Sequence, residues 1–413
     1  MNYGKLNIHV VSDNSGFPIP DATVQITSEN EPENIIEEAV TNNVGQLNDI
    51  ELAAPPVDYS MTPSANKPYS EYTITISASG FESVEINGAE IFSGETAIQN
   101  TSLLPLATGE TDSAELFVIP DHTLWGDYPP KIPESEIKTV EETGEIVLSR
   151  VVIPEYVVVH DGPPSDTRAK NYYVKYRDYI KNVASSEIYS TWPEATIRAN
   201  ILAIQSFTLN RVYTEWYRNK GKDFTITSST AYDHKFVPGR NIFESISAIV
   251  DEIFSEYLSR PNVEQPILTQ YCDGKRATCP NWLSQWGSCN LGEQGFGTLE
   301  IIRNYYGDDM YINTAEQISG IPASWPGYDL TIGASGQKVM QMQEQLDTIA
   351  RVYTAIPRVS ADGVFGEGTQ ASVRAFQKIF DLPQTGEVDF STWYKISQIY
   401  VGITRIAEGI PRG

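Results

Sequence analysis

The sequence is short of positive charge, of cysteine and of long apolar runs. Its 29 Lys and Arg stand against 54 Asp and Glu, a formal net charge of −25 at pH 7. Such a surplus repels phosphate backbones and anionic lipid surfaces, so no nucleic-acid partner is expected. A glycan remains compatible, and 23 Tyr and 7 Trp offer rings on which sugars can stack. No stretch approaches the roughly 20 consecutive apolar residues that cross a bilayer, so no membrane span is expected. The start, Met1-Asn2-Tyr3-Gly4-Lys5, shows neither a basic n-region nor an apolar h-region, and no signal peptide is visible.

The three cysteines, Cys272, Cys279 and Cys289, crowd into one segment, which is not the disulfide framework of a large secreted protein. Cys272 and Cys279 with His234 are weak metal candidates. Their spacing matches no zinc signature, and a local disulfide or free thiols is the favoured reading. No metal and no cofactor are expected, and no glycine-rich phosphate loop is present.

At 413 residues the chain exceeds one ordinary core, and its composition predicts a multidomain α+β protein. Residues 1–107 alternate with period two, as in Lys5-Leu6-Asn7-Ile8-His9-Val10 and Tyr72-Thr73-Ile74-Thr75-Ile76, and turns separate the runs. This pattern predicts a small antiparallel β-sandwich, an accessory part or pro-region. Its pattern resembles carboxypeptidase-regulatory or transthyretin-like sandwiches. Residues 108–152 gather Pro129, Pro130 and Pro133 with runs of Glu and read as an exposed, acidic linker open to proteolysis.

Residues 153–320 read as a mostly α, α+β catalytic domain. A helix is expected over Tyr176–Ile188 and a second from the cap candidate Thr191, with Pro193 and Glu194 in its first turn. Ala195, Ala199, Leu202, Ser206, Leu209, Tyr213 and Trp216 form one stripe along the second. A further helix is expected over Ile242–Leu258, and 266–306 reads as loop before a last short helix. Residues 327–405 read as three helices, 336–351, 369–380 and one from about Ser391. The turns Asp362-Gly363-Val364-Phe365-Gly366 and Gln384-Thr385-Gly386-Glu387 separate them.

This last unit is similar to the three-helix peptidoglycan-binding domain, through Gly333-Ala334-Ser335-Gly336, Gln343, Leu346, Asp362–Gly366, Thr369, Phe376-Gln377 and Leu382 with Gly386. The resemblance implies peptidoglycan glycan strands as partner. Phe376 is assigned to the core. In the centre, Tyr179–Glu187, Trp192-Pro193-Glu194-Ala195, Ala199–Leu209, Leu283-Ser284-Gln285-Trp286-Gly287 and Ile301–Tyr306 resemble the stage II sporulation protein D family of lytic transglycosylases. That resemblance puts the family's catalytic glutamate on Glu187. Ser284, Gln285, Trp286 and Tyr232 are the candidates for binding sugar.

Spacing also points to Glu187. Ile180, Val183 and Glu187 step by three and four, so the carboxyl extends an apolar stripe. There the anion is disfavoured and the group stays protonated longer, as a general acid must. The alternative is a helix-end side chain turned to solvent. Ordinary glycosidases need two carboxylates, and no partner stands out, since Glu194 is explained by its helix position. A lytic transglycosylase manages with one, because the nucleophile is the 6-hydroxyl of the same sugar.

The chain departs from the family at Gln205-Ser206-Phe207 and Thr278-Cys279-Pro280. The domain combination resembles the spore cortex-lytic enzymes, which are made as precursors and trimmed by a subtilisin-like protease. The resemblance implies a role in germination, a location in the cortex or wall, and a cut in the linker. Two other classes remain open: a zinc-dependent muramoyl-alanine amidase and a non-catalytic wall-binding spore protein.

Overall fold

The computed structural model describes residues 2–13, 16–106, 112–126, 128–138, 150–315, 317–319 and 325–404. The N-terminal part is a two-sheet sandwich. One sheet orders its strands Gln46–Ala54, Asn2–Ser12 and Thr96–Leu103. The other runs Glu31–Val40, Thr23–Ser28, Ser70–Ser77, Val84–Ile91 and Glu115–Val118. Alternation sets the faces: Leu6, Ile8 and Val10, then Val24 and Ile26, then Ile74 and Ile76 point into the core. The sandwich is mixed rather than purely antiparallel, because Asn2–Ser12 runs parallel to Thr96–Leu103 and Val84–Ile91 parallel to Glu115–Val118. Period-two patterning fixes which side chains face inward but carries no strand direction.

This sandwich does not stand apart. Ile242–Phe243, from the central region, adds to its first sheet antiparallel to Thr96–Leu103. The helix expected over Ile242–Leu258 is therefore shorter, Glu244–Ile253, with strands Ile242–Phe243 and Glu256–Ser259 on either side. Beside the added strand, Gly239 has φ +75°, and a Cβ there would lie 2.4 Å from the Phe117 ring. The backbone approaches the sandwich too closely for any other residue. Asn241 exchanges hydrogen bonds with the backbone of Glu90, both 3.0 Å, and the Arg240 guanidinium pairs with the Glu90 carboxylate in full burial.

The segment expected as an exposed linker is also packed in. His122 and Leu124 are buried, and Leu124 donates its N–H to the Tyr189 hydroxyl at 2.8 Å. Ile132 N–H donates to Ala231 O, and Leu268 N–H to Glu136 O. Arg211 receives Glu134 as a two-pronged partner, at 3.0 and 2.5 Å. Its prolines and acids read as solvated, yet each acid of this stretch that meets a buried Arg becomes an anchor. Residues 139–149, part of the linker in which a cut is expected, lie outside the described residues.

Glu194–Tyr213 is the central helix, packed against Tyr176–Glu187, Glu244–Ile253, Gln285–Glu293 and Thr298–Tyr306. It is buried on nearly every face rather than along one stripe. Its buried amide groups donate inside the protein: Gln205 Nε2 to Ile253 O and Glu256 O, and Asn210 Nδ2 to Pro266 O. Pro193 occupies the cap position, while Thr191 hydrogen-bonds Ser60 of the sandwich instead.

Three C-terminal helices, Gln337–Ala350, Glu367–Ile379 and Phe390–Thr404, follow. Two buried glutamines each clasp one turn. Gln343 donates to Val364 O and accepts from Gly363 N–H, and Gln377 donates to Glu387 O and accepts from Gly386 N–H. Phe376 is buried core, as the sequence indicated. This unit rests on the centre through Phe390 and Tyr394 against Phe254, with ring centroids 5.4 Å apart in both pairs.

Candidate active site

Glu187 is the last residue of the helix Tyr176–Glu187, and Ile188 beyond it turns to extended backbone. Ile180 and Val183 of the same face are fully buried, so the stripe leads the carboxyl into the protein. The carboxyl is half-buried on the wall of a cleft of about 140 Å³. Oε1 accepts the Lys235 N–H at 2.8 Å and Oε2 accepts the Gln285 side-chain amide at 3.2 Å. That amide also donates to the Glu187 carbonyl at 2.9 Å, so Gln285 holds both ends of the residue. Two donors from two segments fix one carboxyl, which is how a reacting group is preorganised.

The other expected sugar-binding residues do not line this cleft. Trp286 is buried, donates its indole N–H to Leu124 O at 2.8 Å, and packs on Tyr189 and Trp192. It joins the segment before the site to the core. Ser284 caps the helix Gln285–Glu293 by accepting Gly287 N–H at 3.0 Å. Tyr232 contributes its carbonyl to Arg211 at 3.3 Å. Trp286 and Ser284 hold the fold through these contacts, and Tyr232 is half-buried outside the cleft lining.

The weak metal candidates are also placed otherwise. Cys272 and Cys279 form a disulfide with Cα atoms 5.7 Å apart, so neither presents a thiolate, and Cys289 is a buried free thiol. His234 is fully buried, hydrogen-bonded to the Tyr179 hydroxyl at 3.0 Å and packed on Phe207. Burial, then Lys131 and Arg211, hold its imidazole well below the ordinary range, so it is neutral. Among the described residues no group of three or more His, Cys, Asp or Glu is placed to hold a metal ion.

Sequence reading missed Tyr128, Lys131, Tyr271, Asp273 and Arg276, all of which line the cleft with Glu187. Burial first, and then the Glu187 charge, pushes the Tyr271 phenol well above its usual range, so it stays protonated. Lys131 Nζ lies 4.4 Å from the centroid of that ring. The missed residues come from the presumed linker and from a loop without periodicity, neither of which offers a pattern to read. The tight Tyr271–Ala277 stretch, with Gly274 at its turn, was the one available signal.

Comparison with known proteins locates one family. Residues 335–396 match the putative peptidoglycan binding domain. Similar solved structures include the SleB N-terminal domain, 30% identical, covering 19% of this chain and 99% of that one, TM-score 0.17. Klebsiella pneumoniae 5-hydroxyisourate hydrolase is 19% identical, covering 25% of this chain and 92% of that one, TM-score 0.18. Transthyretin from Sparus aurata is 12% identical, covering 24% of this chain and 89% of that one, TM-score 0.16. No curated protein matches. No helix among the described residues is long and apolar enough to cross a membrane. The C-terminal helical unit thus carries a peptidoglycan-binding domain, and peptidoglycan is the partner it indicates.

Proposed function

We propose that this chain is a peptidoglycan lytic transglycosylase with Glu187 as its single acid and base. The observation that carries the reading is the Glu187 carboxyl on a cleft wall, held by Lys235 N–H and Gln285 in a chain that also bears a peptidoglycan-binding domain. Protonated Glu187 gives its proton to the oxygen of the MurNAc–GlcNAc bond as that bond breaks. The resulting carboxylate takes the proton of the muramic 6-hydroxyl, whose oxygen closes on C1 to leave a 1,6-anhydro end. The nucleophile belongs to the same sugar, so effective molarity replaces a water-activating second acid. Asp273 is no such partner, because its carboxylate accepts the N–H groups of Lys275, Arg276 and Ala277.

The proposed setting is the spore cortex during germination, after a subtilisin-like protease cuts between the sandwich and the centre. Mass spectrometry of fragments released from purified peptidoglycan tests the chemistry. Anhydro-muramic ends are expected, and Glu187→Gln should lower their rate about 10³-fold while the fold persists. New N-terminal alanine with chelator sensitivity would instead mark an amidase, and pull-down without soluble fragments a binder.

A further inference from the structure

A second cavity, of about 480 Å³, lies where the sandwich, the centre and the C-terminal helices meet. Val10 and Ile98 of the sandwich and Tyr353, Phe380 and Ile399 of the C-terminal unit give it apolar walls. Two half-buried opposite charges also line it, Asp381 and Lys395. Among the described residues they form no ion pair with each other, and neither side chain makes a hydrogen bond. Two neighbouring cations on the lining are already engaged: Lys181 donates to Asp251 at 2.7 Å, and Arg240 pairs with Glu90.

Asp381 stands where the fold favours other residues. It follows the helix Glu367–Ile379 and its cap Phe380 at φ +53°, and Leu382 N–H closes the turn on Gln377 O at 2.8 Å. Glycine or asparagine is the usual occupant of such a left-handed position, and helix C-termini favour cations over acids. The sandwich supplies no counter-charge. His9 Nε2 lies 3.6 Å from Asp381 Oδ2, but it accepts the Gln46 side-chain amide at 3.3 Å. The ring proton is therefore on Nδ1, which donates to Asn100 Oδ1 at 3.1 Å. Burial, then Lys395, brings that imidazole down to about 4, so it is neutral. Burial raises the Asp381 carboxyl to about 6. Burial, then Lys181, lowers the Lys395 amine to about 8, so both groups stay charged at pH 7. A carboxylate kept against its backbone, its helix end and its burial calls for a cation that the fold does not bring within hydrogen-bond reach.

We propose that Asp381 and Lys395 form a binding site for a small zwitterion, an α-amino acid with an apolar side chain. Its ammonium pairs with Asp381, its carboxylate with Lys395, and the apolar walls take the side chain. The cavity is of the size that small-molecule sites have. It shares no lining residue with the Glu187 cleft, so the site stands apart from the chemistry proposed there.

Calorimetry on the full chain tests the site with leucine and two analogues that each keep one charge, leucinamide and isocaproate. Leucine should bind about tenfold more tightly than either. Asp381→Asn should erase its advantage over isocaproate, and Lys395→Met its advantage over leucinamide. Because asparagine suits the left-handed turn, Asp381→Asn should also unfold at a higher temperature than the parent chain when no leucine is present. Equal binding of the three compounds, or no binding of leucine at millimolar concentration, would overturn the site. A lower unfolding temperature for Asp381→Asn would mark the carboxylate as part of the fold and overturn it as well.

Discussion

The two ends of the chain are fastened to its middle by different chemistry. The N-terminal sandwich takes a strand from the centre into its own sheet and buries an Arg240–Glu90 ion pair at the seam, beside His122. Trp192 and Thr191 reach across to Ser60, and Trp286 to Leu124. The C-terminal helices instead lean on Phe254 and on separate hydrogen bonds, Arg177 Nη2 to Tyr394 O at 3.0 Å and Ser391 Oγ to Asp251 O at 3.0 Å. A shared strand and a buried ion pair make the sandwich part of the centre's folding unit. The second seam is a docking of one finished unit on another, a kind of interface that tolerates relative motion more readily.

Scission is the strongest way to break that contrast. A chain cut once within 139–149 should keep both pieces in one particle on size-exclusion chromatography, because neither the strand pairing nor the ion pair lies in the cut segment. Immediate separation would show the sandwich to be only docked. In the proposed germination setting, cutting and removal of the sandwich are then two distinct steps.

Substitution at the seam comes next. Arg240→Met leaves the Glu90 carboxylate buried without its cation and should cost about 3–5 kcal/mol in denaturant unfolding, with sandwich and centre melting together. Burial already raises the Glu90 carboxyl to about 7 against the pull of Arg240, so the variant should protonate it rather than keep the charge. Two separate transitions in that variant would contradict the single folding unit.

Acid sharpens the contrast further. Burial alone would raise the Glu134 carboxyl, but hydrogen bonds and charge from Arg211, then from Lys138, outweigh it and bring the group down to about 2. A carboxyl depressed in the folded state stabilises fully above its ordinary value of 4.5, and the contribution is lost as pH falls toward 2. The 131–138 segment should therefore gain hydrogen exchange over that window, and Glu134→Gln should abolish the pH dependence. The smallest effect belongs to the other seam: Ser391→Ala should cost about 0.5–1.5 kcal/mol and loosen the C-terminal helices alone in exchange experiments.

Legibility in the sequence followed locality. The C-terminal turns were readable because Gly363 and Gly386 need positive φ, 74° and 76°, and because the helices between them are periodic. The clasping role of Gln343 and Gln377 was not, since it depends on where a turn folds back. Glu187 was singled out by stripe and by resemblance, and the structure puts it on a cleft wall. Trp286, by contrast, was expected at the sugar and lies in the core, where Tyr189 and Trp192 enclose it. An aromatic ring has the same signature in a sequence whether its face meets a sugar or another ring.

Composition, periodicity and turn chemistry by themselves determined the inward faces of the sandwich strands and the three C-terminal helices, because each depends on neighbours close in the chain. Tertiary structure alone decided that His122, Leu124 and Lys138 of the expected linker are buried, that Ile242–Phe243 belongs to the N-terminal sheet, and that Lys131, Lys235 and Arg276 share one cleft. These are contacts between segments tens to hundreds of residues apart. Their energies come from burial and charge pairing in a shared space, and no local pattern of residue types encodes which distant segment will fill it.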